Sequence, residues 1–170
     1  GIAQSPAAYS LPAARCGVAF DRLAQSSGAL EYALLDATGD GVADLVVHQD
    51  DCDATLGGTH WDVYAGSASG FAPTPAPLSL PAARCGVAWD ELGRATGALE
   101  YSLMDLSGDG FADLVVYQDD CDAAIGQARW DVYAGSAGGF AASPTAYTLP
   151  AARCAVSWDT PARSTGALKY

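Results

Sequence analysis

The sequence is built on a repeat of fixed length. Leu11-Pro12-Ala13-Ala14-Arg15-Cys16 returns as Leu80-Pro81-Ala82-Ala83-Arg84-Cys85 and again as Leu149-Pro150-Ala151-Ala152-Arg153-Cys154, 69 residues apart each time. Residues 11–79 and 80–148 share 45 identities in 69 positions. Residues 149–170 open a third copy, with Gly166-Ala167-Leu168-Lys169-Tyr170 matching Gly28-Ala29-Leu30-Glu31-Tyr32. Residues 1–10 read as the last strand of a preceding copy, because Gly1 is in register with Gly70 and Gly139. Two whole repeats, 11–79 and 80–148, therefore lie between a partial unit at 1–10 and another at 149–170. A unit of this kind buries its apolar face by stacking on its neighbours.

Within a repeat the local signals are those of strands. Residues 29–36 form a mostly apolar run, residues 44–48 a β-branched one, and residues 60–65 a third strand. A fourth, around residues 71–80, carries prolines and so belongs at a sheet edge. No segment keeps a helical period over three turns. Four strands per unit with the fourth at an edge describe a propeller blade. The expected fold is all-β: β-propeller blades of four antiparallel strands, two complete and two partial. The loop over residues 13–28 joins one unit to the next.

Composition narrows the function. Half the residues are hydrophobic, which is enough for a core and argues against disorder. A net charge of −12, from 20 acidic and 8 basic side chains, disfavours nucleic acid, whose phosphates need clustered Lys and Arg. No apolar run is long enough for a membrane-spanning helix, so no membrane insertion is expected. The start, Gly1 to Pro6, has neither a basic nor an apolar signal region, so any secretion signal is expected to have been removed.

The strongest chemical signal is a loop rich in aspartate. Asp36-Ala37-Thr38-Gly39-Asp40-Gly41-Val42-Ala43-Asp44 recurs as Asp105-Leu106-Ser107-Gly108-Asp109-Gly110-Phe111-Ala112-Asp113. Oxygen-bearing side chains stand at loop positions one, three, five and nine, and glycine at position six permits a sharp turn. The residue at position seven, Val42 or Phe111, offers a backbone carbonyl. An all-oxygen donor set suits a hard cation, and Ca²⁺ better than Mg²⁺ because it tolerates irregular geometry. One Ca²⁺ per loop, two in all, is expected. Three carboxylates within one loop also repel one another unless a cation lies between them. An EF-hand is excluded, since Val47 and Val116 stand where a bidentate Glu is needed and a strand follows instead of a helix. The plainer reading is a solvated acidic turn.

These residues resemble a known family. Asp-x-x-Gly-Asp-Gly-x-x-Asp-Leu-Val-Val, followed by Trp-Asp-Val-Tyr-x-Gly-Ser-x-x-Gly-Phe, is similar to the FG-GAP (VCBS-type) repeat of integrin alpha-chain propellers and many secreted bacterial proteins. Gly70-Phe71 and Gly139-Phe140 match its Gly-Phe element. The resemblance covers about 45 of each 69 residues and implies a blade whose first two strands are joined by a calcium loop. Thr38 and Ser107 depart from the family's Asp or Asn at position three, and the Cys-bearing loop is longer than a minimal blade needs.

The five cysteines fall into two classes by repeat position: Cys16, Cys85 and Cys154, then Cys52 and Cys121. One of each per unit reads as one disulfide per unit. In a four-stranded blade both classes lie at the end opposite the aspartate loop. Cys16–Cys52 and Cys85–Cys121 are expected, with Cys154 left unpaired. Cys52–Cys85 with Cys121–Cys154 is the alternative pairing. Disulfides imply an oxidising compartment, so the protein is expected to be secreted.

Trp61 and Trp130 lie in the third strand, while Phe20, Trp89 and Trp158 lie in the inter-unit loop. They read either as packing between blades or, with Asp90 and Asp159 beside Trp89 and Trp158, as a sugar-stacking platform. The stretch around Asp50, Asp51 and Asp53 reads as a solvated acidic loop or a second cation site. No Ser/His/Asp set, His cluster or Gly-rich phosphate loop supports an enzyme. The leading expectation is a calcium-binding, disulfide-stabilised extracellular module with a structural or partner-binding role. A glycan-binding lectin is the alternative. The partner expected first is another copy, joined head-to-tail, or the remainder of a longer propeller; a glycan or protein ligand comes second.

Overall fold

The apolar run after Ala29 and the β-branched run after Asp44 pair as the first hairpin, β1 (Leu30–Leu35) with β2 (Asp44–Asp50). The structure is a computed structural model that describes residues 8–151 and 158–159. β3 (His60–Tyr64) continues the meander antiparallel to β2. β4 (Gly66–Ser67) and β5 (Gly70–Phe71) form a small ribbon, and β6 (Ala76–Ser79) closes the sheet in the order β1-β2-β3-β6. The second repeat builds the same sheet from β7 (Leu99–Met104), β8 (Asp113–Asp119), β9 (Arg129–Tyr133) and β10 (Thr145–Thr148). The described residues are all-β, with every strand pair antiparallel.

The fourth strand is shorter than the sequence suggests. Residues 70–71 pair back on residues 66–67, and only Ala76–Ser79 joins the sheet. Pro73 and Pro75 supply no amide hydrogen, so the chain between the two pieces cannot extend a ladder. Pro77 lies within β6, which is an edge strand, as its missing donor requires.

Alternation along the strands divides each sheet into two apolar faces. On the first, Val46, Trp61, Val63 and Leu78 point one way, into a cluster that also holds Trp89, Leu99, Tyr101, Leu114, Val116, Tyr133 and Phe140 of the second unit. One core thus spans both units. The opposite face of the first sheet carries Leu30, Tyr32, Leu45, Val47 and Tyr64, covered by Phe20 and Leu56 of its own loops. Aromatic edges fix the packing: Trp61 meets Phe140 with ring centres 5.6 Å apart, and Trp89 meets Tyr101 at 4.9 Å.

The end of β6 fastens one unit to the next. Ser79 N–H donates to the Gly138 carbonyl at 3.1 Å, and the Ser79 carbonyl accepts from Phe140 N–H at 2.9 Å. Gly139 sits at φ +126°, and a Cβ there would lie 2.3–2.7 Å from Ser79 backbone atoms. No flexible group can yield to it. Gly139→Ala is expected to cost roughly 1–3 kcal/mol, read as a lowered midpoint in thermal melting.

Candidate metal centre

Each aspartate loop links the first two strands of its sheet, with Leu35 paired to Asp44 and Met104 to Asp113. Asp44 is wholly buried. Its Oδ2 accepts from the N–H groups of Ala37 and Thr38, both at 2.9 Å, and its Oδ1 from Gly66 N–H at 2.7 Å. Asp36 caps the turn from the other side. Its Oδ1 accepts from Gly39 N–H at 2.8 Å and its Oδ2 from Gly41 N–H at 2.8 Å. Asp40, exposed at the tip, accepts from Val42 N–H at 2.8 Å.

The second loop copies this pattern. Asp113 accepts from Leu106, Ser107 and Gly135, Asp105 from Gly108 and Gly110, and Asp109 from Phe111. These bonds explain why aspartate recurs at positions one, five and nine: each carboxylate organises the backbone. They leave lone pairs unused, since a carboxylate has about four acceptor sites.

The Thr38 hydroxyl, at position three, is buried without a hydrogen-bond partner. Its counterpart Ser107 makes only a long 3.5 Å contact to Asp105. The donor types at Asp36, Thr38, Asp40, the Val42 carbonyl and Asp44 are those a hard cation takes. The three carboxylates, however, do not lie within 4.8 Å of one another, and each is engaged by backbone N–H groups. Asp105, Ser107, Asp109, the Phe111 carbonyl and Asp113 make the equivalent set.

At the opposite end of each sheet the cysteines pair as Cys16–Cys52 and Cys85–Cys121, each with Cα atoms 5.7 Å apart. The first choice of pairing from sequence therefore holds; Cys154 lies outside the described residues. Cys16 and Gly17 both have positive φ, +50° and +73°, as a two-residue type I′ turn requires. Arg15 and Val18 bond to each other across that turn at 2.8 and 2.9 Å.

The turn aims Arg15 inward, where it pairs with Asp50 and Asp62. Arg84 does the same with Asp119 and, at 2.7 Å, with Asp131. Burial opposes the charge of each arginine, but hydrogen bonds to these acids and to the Tyr64 or Tyr133 hydroxyl outweigh it and hold the guanidinium protonated. Asp50 is only 4 % exposed. It belongs to an internal ion cluster, and the solvated-loop reading fails for it and for Asp119. Sulfurs and carboxylate also approach one another at Cys16, Asp50 and Cys52. They offer no metal site, because the sulfurs are bonded to each other and the carboxylate to arginine. Sequence reasoning missed the arginine clusters, although the signal was present: one Arg and two Asp recur in each unit at fixed positions.

Trp89 is fully buried between the units, and its indole N–H donates to the Pro81 carbonyl at 2.9 Å. Tyr101 and Tyr133 pack on it edge-to-face, so it presents no ring to a sugar. Asp90 accepts from Arg94 at 2.7 Å. Trp158, half-buried beside Asp159, donates its indole N–H to the Pro150 carbonyl at 2.9 Å. The Trp158 backbone N–H donates to Gly126, as that of Trp89 does to Gly57. Of the strand expected over residues 1–10, residues 1–7 lie outside the described residues and Ser10 makes an isolated bridge to Gly70; residues 165–170 of the third copy also lie outside them. No family model matches the chain, and neither a curated protein nor a solved structure matches it.

Proposed function

We propose that this chain is a calcium-stabilised, disulfide-bonded module of β-propeller type that serves outside the cell as a structural or partner-binding element. The observation that carries the reading is the aspartate loop built twice on one plan, with three carboxylates gathered on a single turn by the same backbone N–H groups in each unit. Calcium held there supplies positive charge to the loop and ties the end of β1 to the start of β2. Two stacked four-stranded meanders that share one core support the propeller-type arrangement. The two disulfides suit an oxidising, extracellular-type compartment. No described helix is long and apolar enough to cross a membrane.

Thermal melting with and without chelator tests the proposal. A ligand at a hundredfold its Kd stabilises by about 2.7 kcal/mol, so a rise of roughly 5–10 °C in calcium over chelator is expected for a chain of this size. Equal midpoints in the two conditions would overturn it.

A further inference from the structure

The interface inside the chain defines what its two outer faces fit. Among the described residues, six large apolar side chains are exposed: Tyr9, Leu11, Leu23, Leu34 and Val42 at the outer face of the first unit, and Tyr147 at that of the second. Leu11, Leu23 and Leu34 correspond by repeat to Leu80, Leu92 and Leu103, which pack into the core shared with the first unit. The same residues are thus covered at the interface inside the chain and exposed at the outer face of the first unit.

The cavities agree. The outer face of the first unit carries a groove of about 500 Å³ that includes Val42 and Phe71. At the internal interface the matching space, beside Phe111 and Phe140, is reduced to about 10 Å³ by Leu35 and Ala37. The outer face of the second unit has a groove of about 250 Å³ beside Val132 and Tyr147. Its internal counterpart, beside Val63 and Leu78, measures about 50 Å³.

We infer that the second-unit face of one copy docks into the first-unit groove of another copy of this chain. Met104, Leu106 and Val132 of the incoming copy take the places that Leu35, Ala37 and Val63 hold inside the chain. The interface is heterologous, so it propagates into a ring or a filament. Tyr9 and Ser10 already occupy part of the groove: Ser10 accepts from Phe71 N–H at 2.9 Å, as Ser79 does from Phe140. An incoming Tyr147–Thr148 must displace them. Trp158 must also give way to the Phe20 loop of the receiving copy: its N–H donates to the Gly126 carbonyl and its carbonyl accepts from the Trp130 indole N–H, as those of Trp89 do with Gly57 and Trp61. The inference rests on the stacking of units and does not depend on calcium.

Sedimentation velocity at micromolar concentrations tests it with two variants at exposed positions, Leu23→Glu and Tyr147→Glu. Wild-type protein is expected to form species above its 17.3 kDa monomer. Each variant alone is expected to lose them, because one of its two faces is blocked. An equal mixture should yield a one-to-one dimer and nothing larger, since one intact face of each kind remains. Circular dichroism confirms that both variants are folded; if either is not, Leu11→Glu or Thr145→Glu replaces it on the same face. A wild-type monomer at every concentration overturns the inference. So does association that survives in either variant alone, or a mixture that stays monomeric.

Discussion

Arg84→Met is expected to destabilise the second unit by about 3–5 kcal/mol, the usual cost of removing one partner from a buried charge cluster. Asp119 and Asp131 are 4 % and 5 % exposed, and each has its charge met by Arg84. Arg129 also reaches Asp131, at 2.8 Å, but no other basic side chain pairs with Asp119 among the described residues. Without Arg84 the Asp119 carboxylate keeps only the Cys121 N–H, donated at 2.8 Å. Urea melts measure the effect. Replacing Asp119 by leucine in the Arg84→Met background should restore a large part of the loss, because an apolar cluster needs no counter-charge. A loss below about 1 kcal/mol for Arg84→Met, the range of exposed pairs, would mean that water reaches the cluster.

The second large effect belongs to the disulfides. Cys85→Ala with Cys121→Ala opens a closure between residues 36 apart in sequence. The chain-entropy model puts this at about 4 kcal/mol. Against a total stability of roughly 5–15 kcal/mol, such a loss is large. The effect should exceed the entropic value, because Cys85 holds the turn that delivers Arg84 to Asp119. Melting of the double variant with and without Arg84→Met separates the two contributions, because a loss that runs through the arginine vanishes once Arg84 is gone. If the variant lost no more than about 1 kcal/mol, the turn would hold its form without the sulfur bridge.

The repeat made the strands legible. Positions 69 apart must do the same work, so runs around Leu30, Asp44 and His60 were recognisable as strands, and Pro77 as a mark of the edge. The same logic sorts the cysteines into two classes and leaves two pairings open, of which the structure has Cys16–Cys52 and Cys85–Cys121. Less visible was the ion cluster, because Arg15, Asp50 and Asp62 are distant in sequence and only the turn at Cys16-Gly17 brings them together. Asp50 stands beside Asp51 in an acidic run, and composition cannot tell a buried carboxylate from its solvated neighbour. The division of the fourth strand was hidden too, since it depends on Gly66–Ser67 being available to Gly70–Phe71. In the aspartate loop, sequence spacing identified the carboxylates. It did not reveal how many of their oxygens the backbone engages, three N–H groups on Asp44 alone.

Counting bound calcium by titration calorimetry tests the functional reading most directly. Wild-type protein should take up two ions per chain, Asp109→Ala one, and the pair Asp40→Ala with Asp109→Ala none. Binding lost at both loops after the single change would show that the loops are coupled. No uptake by the wild-type chain at millimolar calcium, the range of weak extracellular sites, would contradict the proposal and leave the aspartates as organisers of the turn alone.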